Sequence, residues 1–215
     1  MDDLPVSGID AEWNIYHGPG ERVVGHGPIA VMWIAYQKEI LVLQIRKYVE
    51  SKSLPQQLII FLHEKHIIKV ICGVNHDLQA LAKEAGCDTF SGGLELSSFA
   101  KEHFLISEAC ASLEDLTAVL LHQCLKKNNG ECISSNWNEE QLTSAQLCYA
   151  AIDVYVSLVL YNKINSSSTP EPVSETAPDG TKVVILSADH RKVVAHDILL
   201  PTSVQQVEKL NITPS

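Results

Sequence analysis

The chain has 215 residues, enough for one sizeable domain and a short extension. Hydrophobic residues make up 46% and charged residues 20%, a composition typical of a globular protein rather than a disordered chain. No uninterrupted apolar run approaches the roughly 20 residues of a membrane span, and the acidic N-terminus differs from a signal peptide, so we expect an intracellular protein without a membrane partner.

The net charge is −10 at pH 7, from 16 Lys+Arg and 26 Asp+Glu. Proteins that bind polyanions usually present a basic surface, so this balance is unusual for a protein that acts on nucleic acid. A carboxylate-rich active site accounts for part of the excess, because such a site is anionic until a cation binds. The six cysteines include no C-x-x-C pair and so indicate neither a zinc site nor a redox motif, and we predict that they are buried and reduced.

Short runs rich in Val, Ile and aromatic residues, each bounded by turn residues, predict the strands of the first part of the chain. They are Val6–Trp13, Ile29–Tyr36, Glu39–Gln44 and Ile67–Cys72. Only two residues separate the second run from the third, which predicts a hairpin. A helix is predicted from Pro55 to about Lys65, since proline suits a first helical turn.

Capping residues predict three further helices. Their extents are Asp77–Glu84, with Asn75 as N-cap and Gly86 as the stop; Leu116–Lys126, after a capping box at Ser112–Asp115; and a longest helix from Thr143 or Ser144 to about Ile164. Strands first and helices later, with one strand–helix–strand unit, predict an α/β fold in which helices flank a mixed sheet.

The composition changes at residue 165, where a Ser- and Pro-rich segment begins. We therefore predict a first domain over residues 1–164, a linker over residues 165–180 and a C-terminal extension over residues 181–215. Two apolar-rich runs in the extension, Lys182–Ser187 and Val193–Leu200, predict a β-hairpin. Two strands are marginally stable alone, so we expect this hairpin to dock on another surface.

The first candidate for chemistry is the pair Asp10 and Glu12 on the first predicted strand. Side chains alternate across a strand, so both carboxylates project from one face and Ala11 from the other. Paired carboxylate oxygens suit a hard divalent cation. By itself such a pair is more often part of a solvated face.

Two further acidic residues lie on predicted helices. Asp77 begins the helix after the fourth strand, where it favours the helix dipole or reaches an ion shared with the first strand. Tyr149 and Asp153 are four residues apart on the longest helix and therefore share a face. A buried tyrosine bonded to a helix carboxylate is the structural alternative for that pair.

Taken together, these motifs resemble the DEDD-type 3′–5′ exonucleases of the ribonuclease H-like fold, over about residues 5–164 and in the family's motif order. The tract from Ser134 to Tyr155 is similar to that of the Werner syndrome exonuclease domain. Tyr149 lies four residues before Asp153, as in the tyrosine subclass that includes ribonuclease D. The sister subclass carries a histidine five residues before the last aspartate, where this chain has Cys148, so His76 is interpreted as a junction residue.

The resemblance implies a 3′–5′ exonuclease that acts on DNA or RNA 3′ ends, releases nucleoside 5′-monophosphates and works in the nucleus. It also implies two Mg²⁺ or Mn²⁺ ions, which suit an all-oxygen site. Asp10, Glu12 and Asp153 would hold one ion, with Asp10 also touching the second. Asp77 would support the second ion and Tyr149 would orient the attacking water.

The chain also departs from its Werner-type relatives. Glu139 and Glu140 stand where those relatives carry basic residues, and the tract after Asp77 offers Lys83 but no arginine. The chain thus has fewer basic residues that could bind phosphates than its relatives have. An alternative is therefore an exonuclease fold of little activity that serves in nucleic-acid binding or protein scaffolding. A phosphodiesterase for a substrate other than nucleic acid is a third possibility, favoured only by the acidity.

Overall fold

The computed structural model describes residues 4–72, 76–87, 89–125, 136–167, 171–174, 176–187 and 193–200. Five strands form one mixed sheet in the order β3-β2-β1-β4-β5, and two further strands form a separate antiparallel pair. The strands are β1 (Val6–His17), β2 (Val23–Tyr36), β3 (Glu39–Gln44), β4 (Ile68–Ile71), β5 (Gly93–Glu95), β6 (Lys182–Leu186) and β7 (Val193–Ile198).

Helices cover both faces of the five-stranded sheet. They are α1 (Arg46–Glu50), α2 (Gln56–His63), α3 (His76–Ala85), α4 (Leu96–Glu102), α5 (Leu113–Leu121) and α6 (Ser144–Asn165). Helix α5 begins with the predicted capping box of Ser112 and Asp115, and Thr143 caps α6 in the same manner with Gln146. The predicted α/β class, a mixed sheet flanked by helices, is confirmed.

Strand β1 occupies the centre of the sheet. It runs antiparallel to β2 along most of its length and parallel to β4 only from Val6 to Gly8. Strand β4 ends at Ile71, so the second half of β1 continues past the end of its parallel neighbour. Asp10 therefore lies on the central strand, beside the C-terminal end of β4 and the start of the connection to α3.

The two faces of the sheet carry different cores. Alternate residues Ile9 and Ala11 face a cluster that α1, α2 and α3 complete. Residues on the opposite face, including Val31 and Trp33 of β2, pack against Ala150, Val154 and Leu158 of α6. The predicted alternation along β1 is thus present, with Ala11 on the face away from α6.

Helix α6 is 22 residues long and contains an 18-residue stretch with a mean hydropathy of 1.3, enough by length and composition to cross a membrane. Its position explains this apolar character, because its first half packs on β1 and β2 and its second half packs against α4 and α5. A side chain at Gly8 would collide with the main-chain carbonyl oxygen of Val154. Glycine at that position lets α6 lie directly on the centre of the sheet, as a core helix does.

Several elements differ from their predicted extents. Strands β1 and β2 extend further toward their shared turn, and α5 ends at Leu121, where His122 adopts a left-handed conformation with φ 55. Gly86 ends α3 as predicted, with φ 73. The predicted N-cap Asn75 lies outside the described residues. The short elements α1, β5 and α4 were not predicted, because each is too brief for a periodic pattern.

The cysteine prediction is only partly right. The five described cysteines form no disulfide, but Cys110, Cys124 and Cys148 are exposed and the other two are half-buried. Cys72 and Cys87 pack against the edges of the apolar clusters, whereas the three exposed cysteines lie on a helix surface and in loops. The assumption that an apolar neighbourhood in sequence means burial fails on α6, where Cys148 faces away from the sheet.

The C-terminal extension contains the predicted hairpin, formed by β6 and β7. The Ser107 hydroxyl, in the loop between α4 and α5, donates a hydrogen bond to the Val193 carbonyl oxygen at 2.5 Å. Residues of the hairpin and of the α4–α5 region line one open cleft of about 1640 Å³. The hairpin thus lies beside this region, and the division into domain, linker and extension remains a prediction.

Candidate active site

The first two candidate residues, Asp10 and Glu12, lie on the face of β1 that meets α6. Asp10 is paired with Trp33 of β2 and Glu12 with Val31, whose side chains belong to the α6 core. Asp10 is half-buried, and only 8% of Glu12 is exposed. A carboxylate buried to this extent needs hydrogen-bond donors or a positive charge nearby. Local chain geometry changes directly after it, since the β1–β2 ladder is irregular from Glu12 to Ile15.

Tyr149 and Asp153 lie one turn apart on α6, both half-buried. Their neighbours Ala150 and Val154 are fully buried against the sheet. Because the Val154 carbonyl lies directly on Gly8, Asp153 sits on the helix turn that covers the part of β1 just before Asp10. The fold therefore brings α6 and the acidic face of β1 together, although about 140 residues separate them in sequence.

The fourth acidic residue, Asp77, is in the first turn of α3. Its helix position is described, but its side chain and that of His76 lie outside the described residues. The next residue, Leu78, lines a small cavity together with Asp10, Ile71 and Leu81. The first turn of α3 therefore lies close to β1 at Asp10, and a role for Asp77 at the site stays a prediction.

A loop before α6 completes this side of the molecule. The side chain of Asn14 accepts a hydrogen bond from the Trp137 main-chain N–H at 2.7 Å and donates one to Asn136 Oδ1 at 2.8 Å. Gln146 Nε2 donates to the Asn136 carbonyl at 3.2 Å. The Trp137 side chain is 1% exposed, and its ring centroid is 6.5 Å from that of Tyr149.

Asn14 was missed at the sequence level, and Trp137 was noted only as part of the Werner-like tract. No periodicity marks Asn14, because it follows Glu12 on an irregular part of the strand. A tryptophan flanked by asparagines before a capped helix was the one available signal for the loop. Asn14 and Trp137 contact each other in the fold although more than 120 residues separate them in sequence.

Several described basic groups near the sheet already have protein partners. Arg46 forms an ion pair with Glu50 at 2.8 Å. Lys69 on β4 is fully buried, donates to the Glu64 carbonyl at 2.5 Å and lies over the Phe61 ring. Burial lowers the pKa of Lys69, and the Glu64 carboxylate opposes that shift. Both cations are already bound to other groups of the protein. This agrees with the small number of basic residues that the sequence offers near the candidate site.

The donor set fits a hard divalent cation by its chemistry. Asp10, Glu12 and Asp153 offer only carboxylate oxygens, which Mg²⁺ and Mn²⁺ prefer. Among the described residues the structure has no group of three or more His, Cys, Asp or Glu side chains close enough to share an ion. The Asp77 side chain lies outside the described residues. Carboxylates without a cation repel one another, which favours wider spacing.

A family model of 3′–5′ exonucleases matches residues 29–168. The chain therefore belongs to the 3′–5′ exonuclease family, of the DEDD type that ribonuclease D and WRN represent. Members of this family generally use divalent metal ions. The matched segment contains Asp77, Tyr149 and Asp153, whereas Asp10 and Glu12 precede it.

Two relatives are similar in sequence over most of this chain. The mouse bifunctional 3′–5′ exonuclease/ATP-dependent helicase WRN is 30% identical over 167 residues, which are 77% of this chain and 11% of that protein. Human exonuclease 3′–5′ domain-containing protein 2 is 31% identical over 166 residues, 75% of this chain and 25% of that protein. The chain thus spans a quarter or less of the length of these relatives.

Solved structures agree on the fold. Trypanosoma brucei RNase D matches with a TM-score of 0.63 and 16% identity, over 78% of this chain and 60% of that one. Escherichia coli RNase D matches with a TM-score of 0.57 and 15% identity, over 76% and 40%. The predicted ribonuclease H-like architecture is confirmed.

Proposed function

We propose that this chain hydrolyses nucleic acids from the 3′ end and releases nucleoside 5′-monophosphates, with two Mg²⁺ or Mn²⁺ ions at the carboxylates. The observation that carries the proposal is the contact of α6 with β1 at Gly8, which sets the helix of Asp153 on the acidic face of Asp10 and Glu12. The proposal takes carboxylates from these two elements to share the ions, which is the arrangement that two-metal phosphoryl transfer requires.

In this proposal each site residue has a distinct role. Asp10, Glu12 and Asp153 hold the ions, and Asp77 supports one of them. Bound cations would stabilise charge on the attacking and leaving oxygens of an in-line displacement. Tyr149 holds the water whose oxygen forms the new bond to phosphorus. The bond from phosphorus to the 3′ oxygen breaks, and that oxygen receives the proton lost by the water.

The finer assignments rest on the relatives. One solved structure holds T. brucei RNase D in a complex with RNA U12, and the WRN protein is described as a bifunctional exonuclease and helicase. We propose DNA or RNA 3′ ends as the substrate class and the nucleus as the location. We also propose that residues 1–164 carry the activity and that residues 181–215 form an accessory extension.

A second candidate function is a weakly active exonuclease fold that binds nucleic acid or scaffolds other proteins. The net charge of −10 and the protein partners of Arg46 and Lys69 favour the scaffolding form of this candidate, because both disfavour contacts with phosphates. Phosphate binding would then depend largely on bound metal ions. The two candidates therefore differ in one property, which is whether nucleotides are released when a divalent cation is supplied.

The test incubates the purified chain with 5′-labelled single-stranded DNA, 3′-recessed duplex DNA and RNA, in Mg²⁺, in Mn²⁺ or in EDTA. We expect a ladder that shortens one nucleotide at a time from the 3′ end in the presence of either metal and no cleavage in EDTA. Binding without shortening of any substrate would favour the second candidate. Cleavage in EDTA would remove the metal-based proposal.

A further inference from the structure

Asn14 of β1 is hydrogen-bonded to the loop before α6, and the proposed chemistry assigns no role to this contact. The β1–β2 ladder is interrupted between Trp13 and Ile15, so Asn14 sits at a β-bulge two residues after Glu12. A bulge redirects a side chain out of the regular alternation. Here the Asn14 amide reaches the loop and makes two hydrogen bonds to consecutive residues, at 2.8 Å with Asn136 Oδ1 and at 2.7 Å with the Trp137 N–H.

The loop also contacts Tyr149 through the Trp137 side chain. Trp137 is 1% exposed and belongs to the core cluster beside which Tyr149 packs. Its ring lies 6.5 Å from the Tyr149 ring, centroid to centroid, with an interplanar angle of 46°. The Trp137 indole N–H has no hydrogen-bond partner among the described residues. The indole is therefore held by packing, and its main-chain N–H supplies the directional contact.

From this chain of contacts we infer that Asn14 and Trp137 are positioning residues, which set the place of the Tyr149 ring relative to the carboxylates of β1. This inference rests on the proposed role of Tyr149. Asn14 fixes the main chain of Trp137 to the strand that carries Glu12, and the Trp137 ring limits the positions open to Tyr149. A catalytic group displaced by about 1 Å can lose on the order of 10²-fold in rate, so such a connection has kinetic consequences.

A different tether of the same loop provides the matched control. Gln44 of β3 donates to the Glu139 carbonyl at 2.7 Å, two residues beyond Trp137 in the same loop. Loss of this bond removes one attachment of the loop and leaves both Asn14 side-chain hydrogen bonds in place. Comparison of the activities of Asn14→Ala and Gln44→Ala therefore distinguishes an effect on the position of Tyr149 from an effect on the order of the loop as a whole.

The experiment is a double-mutant cycle on the full chain, read as kcat and KM for release of nucleotides from single-stranded DNA in Mn²⁺. We expect Asn14→Ala to lower kcat about tenfold with KM changed far less, and Trp137→Phe to act in the same direction. Gln44→Ala should stay within about threefold of wild type. In a Tyr149→Phe background the Asn14→Ala effect should disappear, because residues that act through one group are not additive.

The outcomes distinguish this inference from the proposed function. If the wild-type chain releases no nucleotide with any metal, the proposed function fails and the inference fails with it. If wild type is active but Asn14→Ala costs the same factor with or without the Tyr149 hydroxyl, only the inference is overturned. An equal loss in Gln44→Ala would also overturn it. Thermal melting of each variant identifies losses caused by unfolding, and if Asn14→Ala does not fold, Trp137→Phe takes its place in the cycle with Tyr149→Phe.

Discussion

At the scale of residues, the proposed site combines two carboxylates on β1 with a phenol and a carboxylate on α6. The i, i+2 spacing of Asp10 and Glu12 and the i, i+4 spacing of Tyr149 and Asp153 were readable because each follows the period of its element. Asn14 was not readable, because a bulge breaks the period at that point. What the sequence could not supply was the partner of each residue across the chain.

Tyr149→Phe tests the role of the phenol, since it keeps the ring beside Trp137 and removes only the hydroxyl. We expect kcat to fall on the order of 10²-fold, the size of effect seen when one positioned polar group is lost from a catalytic site. The measurement is the steady-state rate of nucleotide release. Tyr155→Phe on the same helix is the control, because that ring is 47% exposed and lies away from the sheet. Equal rates for Tyr149→Phe and wild type would make Tyr149 a packing residue.

At the scale of elements, the decisive contact is that of α6 on β1. Gly8→Ala should push the helix away from the strand, because the new methyl group would meet the rigid main-chain carbonyl of Val154. We expect a loss of about 1–3 kcal/mol in the free energy of unfolding and a larger fall in activity than the stability loss explains. Chemical denaturation and the rate of nucleotide release measure the two effects.

Gly25→Ala on β2 is the matched control for that substitution, since a methyl group there meets no atom within 4 Å in the described structure. It should leave both stability and rate near wild type. A Gly8→Ala protein with wild-type stability and rate would mean that α6 does not approach β1 as closely as described.

The start of α4 makes a prediction about pH. Glu95 caps this helix and accepts hydrogen bonds from the Ser98 N–H at 2.7 Å and from the N–H and hydroxyl of Ser97 at 3.1 and 2.7 Å. Burial by itself would raise the pKa of Glu95, but the Ser98 and Ser97 hydrogen bonds outweigh it, and the pKa lies below its ordinary value of 4.5. The carboxylate therefore stabilises the fold above about pH 4.5, and this contribution is lost as the pH falls through the lowered pKa.

Glu95→Gln should accordingly destabilise the chain at pH 7 by at most about 1 kcal/mol, since the group is partly exposed. The difference from wild type should shrink as the pH falls below the ordinary carboxyl pKa. Unfolding curves at pH 7 and in acid give both numbers. Glu102→Gln, at the other end of α4, is the control and should show no such loss. A deficit that grows in acid would contradict the cap assignment.

Element boundaries show where sequence patterns were sufficient. The capping box at Ser112 and the cap predicted at Thr143 or Ser144 located the starts of α5 and α6 to within three residues, because a cap is a local arrangement of side chain and backbone. Strand β5 has three residues, and its pairing with β4 supplies the stabilisation that its own sequence lacks. Such an element depends on tertiary contacts, which a local pattern does not contain.

At the scale of the whole molecule, the proposed division places every candidate catalytic residue before the C-terminal hairpin. A chain that ends after Ser167 should remain folded and still release nucleotides, with some loss of thermal stability where apolar surface beside the hairpin is uncovered. Melting curves and rates for the shortened and full-length chains provide the comparison. A shortened protein that is well folded but inactive would mean that the extension holds the substrate or completes the site.

The mixed-sheet class, the order of its first elements and the elements that carry all five candidate site residues followed from local pattern and resemblance. The acidic net charge did not foretell the family. It reflects carboxylates spread over the surface as well as the face of β1, and net charge carries information about solubility and association more than about fold. The placing of the hairpin was not predictable, because its partner surface at Ser107 carries no signal in sequence.

The central claim is that water, held at the Asp10, Glu12 and Asp153 site, attacks the last phosphodiester bond. The most direct measurement is hydrolysis of a short oligonucleotide in water enriched in ¹⁸O with Mn²⁺, followed by mass spectrometry of the released nucleotide, with Asp153→Asn as the parallel sample. We predict that wild type releases a nucleoside 5′-monophosphate with one ¹⁸O on its phosphate. Asp153→Asn should release no nucleotide. Release of a 3′-monophosphate, or equal release by the variant, would contradict the account.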